Sequence, residues 1–259
     1  MNPLILKCRA LLREQNMLSK NLAEDFPLGN CVPPENFTDV HHYVDLTNLK
    51  PQATITDIEE LCAKARQQQV AAVCTFQKFT NHASKLLAGS NIDICAVANF
   101  PGAGSDVSVV QADVAFSVKN GATEIDPVHR IDLIKEKRYS EYLEFMQAVV
   151  KSAKNARVKV IFETQLLTDE EIVISALLCW MAGVRGIKTS TGVNTFVSDG
   201  EKQTVHATVH HICLMRMAFG DVDKFGNPAI IKASGGVGDE FKARELLENG
   251  ATRIGASGL

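Results

Sequence analysis

No stretch of the 259-residue chain stays apolar for the ~18 residues that a membrane-spanning helix needs. Its apolar beginning is broken by Arg9, Arg13 and Glu14, which argues against a secretory signal. Neither sign of charge dominates: 27 Lys and Arg stand against 30 Asp and Glu, giving a formal net charge of −3 and a pI near 6.2. That balance excludes a general attraction to nucleic acid or to an anionic membrane. The seven cysteines are an odd set, and Cys62, Cys74, Cys95, Cys179 and Cys213 lie inside apolar runs. They read as buried, reduced thiols of a cytoplasmic protein rather than as a disulfide framework. Metal-ligand spacing is missing too. His41-His42 and His210-His211 are adjacent pairs, not the i, i+4 pairs that share one helix face. Neither a metal nor a cofactor is therefore expected. No G-x-G-x-x-G follows the first strand-like run, which counts against a dinucleotide-binding sheet.

What the chain does contain is a rhythm. Leu4, Ile5, Cys8, Leu11, Leu12, Leu18 and Leu22 recur at near-helical spacing and predict an amphipathic helix over 3–24, followed by the connector PLGNCVPPENF. We separate residues 1–40, the helix and connector, from a catalytic domain over 41–259. From His42 onward, short β-rich apolar runs alternate with helical ones. The runs are 42–47, 71–76, 93–100, 122–128, 157–164, 184–190, 228–234 and 252–257. The intervening segments include TITDIEELCAKARQQ and TDEEIVISALLCWMAG, which open on a hydroxyl followed by acids, and a long one over 201–220. Eight strands alternating with helices predict a parallel sheet, and eight is the closure number of the α/β class (β/α)8 TIM barrel. An open doubly wound sheet is the structural alternative. The eighth run reaches almost to the last residue, in GASGL, so the eighth helix is absent or truncated, and the N-terminal helix is expected to cover the flank between the first and last strands.

Barrel enzymes carry their chemistry at the C-terminal ends of the strands. Those ends hold Asp45, Cys74, Asn99, Asp126, Glu163, Lys188, Lys232 and the turn Gly255-Ala256-Ser257. One lysine ending an apolar strand is usually a snorkelling or salt-bridged residue. Two, on neighbouring strands, are another matter. Ammonium groups within ~6 Å disfavour each other's charge, so one amine drifts towards neutrality and can attack a carbonyl. Asp126 is placed to move a proton or orient a hydroxyl, with Asp45 in support. Cys74 reads first as packing. Glycine-rich turns follow strands six, seven and eight, around Gly192, Gly235-Gly236 and Gly255–Ser257. Their backbone N–H groups predict an anion cradle, and so a phosphorylated substrate.

At this point the motifs VDLTNL, ANFPGAG, EIDPV, GIKTSTG, IIKASGGV and RIGAS, in that order from about residue 41, resemble the deoxyribose-phosphate aldolase family. The resemblance implies a metal-free class I aldolase on a (β/α)8 barrel that interconverts 2-deoxy-D-ribose 5-phosphate with D-glyceraldehyde 3-phosphate and acetaldehyde. Carried over by motif, Lys188 would form the Schiff base, Lys232 would depress its pKa, and Asp126 would assist proton transfer. Asp45, Thr47 and Cys74 would form a supporting network; Gly192, Gly235, Gly236, Gly255 and Ser257 would hold the phosphate. The implied partner is a small phosphorylated sugar, with a homodimer left open. The chain departs from the family at Pro127 and His129-Arg130, at Gln165 where glycine is usual, at Gly258, and in lacking a final helix and terminal tyrosine. These departures leave two alternatives. One is a weakly active or inactive aldolase-fold protein kept for binding or scaffolding; the other is an aldolase for a different phosphosugar.

Overall fold

Eight short strands pair in parallel around a full circle in a computed structural model that describes residues 2–17, 29–34, 37–193, 197–198, 201–202 and 206–259. They are β1 (Val44–Asn48), β2 (Ala72–Thr75), β3 (Asp93–Ala98), β4 (Glu124–Pro127), β5 (Arg157–Ile161), β6 (Gly186–Lys188), β7 (Ile230–Ser234) and β8 (Arg253–Ala256). Each pairs with its sequence neighbours, and β8 closes on β1 through Asp45 opposite Gly255. The expected barrel is the observed fold. Strands buried on both faces read as near-continuous apolar runs, which is why they were visible in the sequence. A two-residue antiparallel ladder, Val197–Ser198 with Glu201–Lys202, lies outside the barrel.

The helices are α1 (Pro3–Glu14), α2 (Ile55–Gln68), α3 (Thr80–Leu86), α4 (Val107–Lys119), α5 (Ile131–Lys135), α6 (Tyr139–Ala153), α7 (Asp169–Ala182), α8 (Val209–Phe219) and α9 (Glu240–Glu248). Among the described residues none is long and apolar enough to cross a membrane. Capping boxes start two of them. Thr54 pairs with Asp57 and Thr168 with Glu171, each hydroxyl accepting from the backbone N–H three residues on while the acid accepts from the cap N–H. The helix expected over 201–220 begins only at Val209, where Thr208 caps the N–H of His211.

α1 corrects an expectation. It ends at Glu14, residues 18–28 lie outside the described ones, and it packs on α7 rather than between the first and last strands. Lys7 Nζ binds Glu170, and Cys8 Sγ lies 3.9 Å from the Glu170 carbonyl. The reason is in α7 itself: Ile172 through Ala182 are all buried, so that helix has almost no polar side to offer water. An outer helix with an apolar stripe, here Ile5, Cys8 and Leu12, must cover it. Near the β8–β1 closure the segment around Phe37 and Val40–Tyr43 packs on α9, with Arg244 stacked over the Phe37 ring at 4.9 Å.

Candidate active site

The main apolar core lies between the strands and the helices. Inside the barrel the apolar content is small: Cys74, Cys95 and Val97, with Leu49, Phe76 and Phe100 packed against them. The rest of that interior is charged. Lys188, ending β6, stands in register beside Lys232 of β7. Their ammonium nitrogens lie 3.4 and 2.8 Å from the same oxygen, Oδ2 of Asp126 on β4. Lys232 also donates to Asp45 Oδ2 of β1 at 2.5 Å. Lys159 of β5 lies 3.2 Å from Asp126 Oδ1 and 3.5 Å from Asp45, and pairs with Glu124. Arg253 of β8 closes the lower side, 2.7 Å from Asp45 and 3.3 Å from Glu124. Arg157 binds Glu124 at 2.8 Å and Asp93.

Burial of these charges is expensive unless each finds opposite partners, and here each does. Burial alone would raise the Asp126 carboxyl. The ammonium groups of Lys159, Lys232 and Lys188 outweigh it and hold Asp126 below the usual carboxylate range. Asp45 behaves likewise: burial opposes its charge, while Lys232, Arg253 and Lys159 hold it ionised. Lys232 is the mirror case. Burial disfavours its ammonium, but Asp126 and Asp45 push its pKa well above the ordinary lysine value. Of the lysine pair, Lys232 is thus the one committed to carrying a proton.

Above this layer opens a cavity of about 640 Å³ lined by Thr47, Lys50, Gly192, Gly235, Gly236, Gly255 and Ser257, among others. All five residues expected to hold a phosphate line it. Gly255 has a packing reason as well. A Cβ there would lie 2.8 Å from Ser234 Oγ and 3.0 Å from Lys232 Cε, in the path of the lysine stem. The turns are stitched together from below. Thr189 Oγ1 donates to the Ser234 carbonyl at 2.8 Å and accepts from the Ser234 N–H at 3.0 Å, joining the ends of β6 and β7. Thr191 Oγ1 donates to Glu163 Oε2 at 2.6 Å, and its N–H lies 3.3 Å from both oxygens. Glu163 itself sits in the left-handed region, φ +53°, with its carboxyl buried. Burial raises that carboxyl, against the pull of the Thr191 donors and of Lys188.

A family model of the DeoC/LacD aldolases matches residues 40–259, from the turn before β1 to the last residue. The chain belongs to the DeoC/LacD aldolase family. The deoxyribose-phosphate aldolase of Lysinibacillus sphaericus is 41% identical over 215 residues, which are 83% of this chain and 90% of that one. That of Carboxydothermus hydrogenoformans is 38% identical over 224 residues, 85% and 92% of the two chains. Among solved structures, the deoxyribose phosphate aldolase of Aeropyrum pernix, described as a tetramer, matches with a TM-score of 0.72 at 26% identity over 84% of this chain and 86% of that one. This aldolase is accordingly a carbon–carbon lyase on a TIM barrel.

Several residues of the aldolase's charged layer escaped the strand-end reading. Lys159, Glu124, Arg157 and Arg253 sit deeper in the barrel, and a list of strand ends does not reach them. The signal was present: Glu124 and Asp126, and Arg157 and Lys159, are charged at period two inside apolar strands, which marks an inward polar face. Thr47 lines the cavity while donating to the Asp45 carbonyl at 2.8 Å. Cys74 is buried beside Cys95; the hydrogen bond from Cys95 and the nearby Lys232 lower its pKa against the effect of burial. Asn99 does not join the network. Its side chain donates to the Val128 carbonyl at 2.9 Å and accepts from the Ser105 N–H at 3.1 Å, holding loops together. Cys74, Cys95 and Asp126, and also Asp45, Cys95 and Glu124, bring ligand atoms within 4.8 Å of one another. Both groups share their carboxylates with buried lysines, whose charge opposes a divalent cation.

Proposed function

We propose that this aldolase cleaves 2-deoxy-D-ribose 5-phosphate to D-glyceraldehyde 3-phosphate and acetaldehyde through a Schiff base on Lys188. The observation that carries the reading is the sharing of one Asp126 oxygen by Lys188 and Lys232 beneath a glycine-lined cavity. Lys232 holds its proton between two carboxylates, which suits it to act as the acid of the pair and leaves Lys188 the role of nucleophile.

In this reading the Lys188 amine adds to C1 of the open-chain sugar. Lys232, as ammonium, supplies the proton on which the carbinolamine loses water, and Asp126 passes protons between the two amines. Removal of the C3 hydroxyl proton then breaks the C2–C3 bond. Its electron pair moves through C2 to the iminium nitrogen, and D-glyceraldehyde 3-phosphate departs. The enamine takes a proton at C2, and water releases acetaldehyde and the free Lys188 amine. Gly192, Gly235, Gly236, Gly255 and Ser257 would hold the 5-phosphate in the cavity they line. The phosphate-facing turns favour this substrate class over a neutral sugar.

Borohydride reduction of the protein with acetaldehyde or deoxyribose 5-phosphate should leave one reduced adduct, mapped by peptide mass to Lys188. Lys188→Ala should lose both the adduct and the turnover. An intact protein that yields no adduct with either carbonyl refutes the proposal. Adduct formation with a ketose phosphate and none with acetaldehyde would assign it to another phosphosugar.

A further inference from the structure

Gln165 lies in the 3-10 turn Thr164–Leu166 after β5. Both ends of its amide are engaged. Oε1 accepts from Ser190 Oγ at 3.1 Å, and Nε2 donates to the backbone carbonyl of His206. The carbonyl of His206 can only accept, so this orientation of the amide is the one its partners require. Ser190 stands two residues before Gly192 in the turn after β6. His206 belongs to the stretch entering α8, and the next residue, Ala207, donates its N–H to the Gly235 carbonyl at 2.9 Å. The His206 imidazole lies directly on Gly236. A Cβ at that glycine would fall 1.7 Å from Nδ1, and the backbone there has φ +67°. The backbone there favours glycine at 236, and the absence of a Cβ lets the ring rest on it.

A single side chain therefore ties the turn after β6 to the strap that lies over the turn after β7. These are two of the three turns assigned above to the phosphate. N–H donors from different strands bind one anion well only if their relative placement is set before it arrives; otherwise binding must order them first. We propose that Gln165 and His206 are positioning residues that hold the Gly192 and Gly235–Gly236 turns in the geometry that receives the phosphate group of the substrate. The inference rests on the proposed phosphate site and adds to it the device that sets its shape. Neither side chain touches the reacting carbons in this account, so binding of the phosphate end should change and the bond-breaking step should not.

The test compares Gln165→Glu, which keeps the acceptor for Ser190 and loses the donor to His206, with Gln165→Gly and His206→Ala. Each is assayed on deoxyribose 5-phosphate and on unphosphorylated 2-deoxyribose. In Gln165→Glu, loss of one such hydrogen bond corresponds to about a threefold to tenfold rise in KM for the phosphorylated sugar; His206→Ala keeps the carbonyl and removes the ring packed on Gly236, and should raise KM as well. The kcat should stay within about twofold, and kcat/KM for 2-deoxyribose should not change. An unchanged KM in Gln165→Glu and His206→Ala overturns the proposal. So does an equal loss on both sugars, which would mark a general structural role. If wild type cleaves neither sugar, the aldol reading fails by itself, and calorimetric binding of inorganic phosphate decides this inference. Weaker binding in the three variants supports it; equal or undetectable binding in wild type and variants overturns it.

Discussion

Replacing Lys232 by methionine removes one charge from the centre of the barrel and keeps its volume. The ammonium lost lies 2.5 Å from Asp45 and 2.8 Å from Asp126, all three fully buried. Removing one member of such a pair leaves buried charge uncompensated and costs ~3–5 kcal/mol. Lys159 and Arg253 remain beside Asp45, and Lys159 and Lys188 beside Asp126, so the lower half of that range is the expectation. For a chain of this size the midpoint of thermal unfolding should fall on the order of 10 °C. The second consequence is catalytic. With Lys232 gone, the proposed site loses the ammonium that would protonate the departing carbinolamine hydroxyl. Turnover at pH 7 should fall by about 10²-fold or more, the usual contribution of a positioned acid, and borohydride should trap less of the protein with acetaldehyde. Urea unfolding with an unchanged m-value measures the first effect, and turnover with trapping at pH 7 measures the second. A Lys232→Met variant with wild-type stability, turnover and trapping would refute the assignment of Lys232 as the fixed ammonium.

Lys50 is the ammonium that lines the cavity beside the glycine turns among the described residues. Lys50→Met should raise KM for the phosphorylated sugar about threefold to fivefold at low salt, and less at high salt, because an exposed charge is screened; salt-independent kinetics would count against its facing the phosphate. Glu163 is an acid whose pKa is raised by burial, so its protonated form suits the fold and its ionisation costs stability as pH rises above the ordinary value of 4.5. Glu163→Gln, still able to accept from Thr191, should match wild type at pH 4 and equal or exceed it at pH 8 in denaturant titrations. His129 is neutral and buried, donating from Nε2 to the Phe162 carbonyl at 2.8 Å and accepting at Nδ1 from Tyr142 at 2.9 Å. Burial lowers its pKa to about 4 from 6.5. The unfolded chain takes up that proton first, so stability should drop by on the order of 3 kcal/mol between pH 7 and pH 4. A His129→Asn protein that shows the same acid dependence would contradict this.

Much of the site was legible because parallel barrels obey a simple rule: strand ends converge. Once eight apolar runs were counted, Asp126, Lys188 and Lys232 had to meet, and three glycine turns had to share a rim. Helix starts were legible where a capping box announces them, as at Thr54 and Thr168. The placement of α1 was harder. Its stripe states that it packs on something, but the partner is chosen by whichever surface is left without a polar side. That surface was α7, whose unbroken IVISALLCWMA run carried the hint. Gln165 read as a bare departure from a family pattern, because its two partners lie 25 and 41 residues away along the chain.

The linear pattern of apolar and polar residues determined the barrel, its strand count and which charged side chains point inward, since period and closure are local properties repeated eight times. Only the folded chain decided who pairs with whom. Lys232 is bound to Asp45 across 187 positions and Lys159 to Glu124 across 35. Whether a buried lysine keeps its proton depends on the summed field of such partners. The sequence could place two lysines side by side and infer that one must yield its proton. The carboxylates gathered around Lys232, which hold it as an ammonium, are brought there only by the fold.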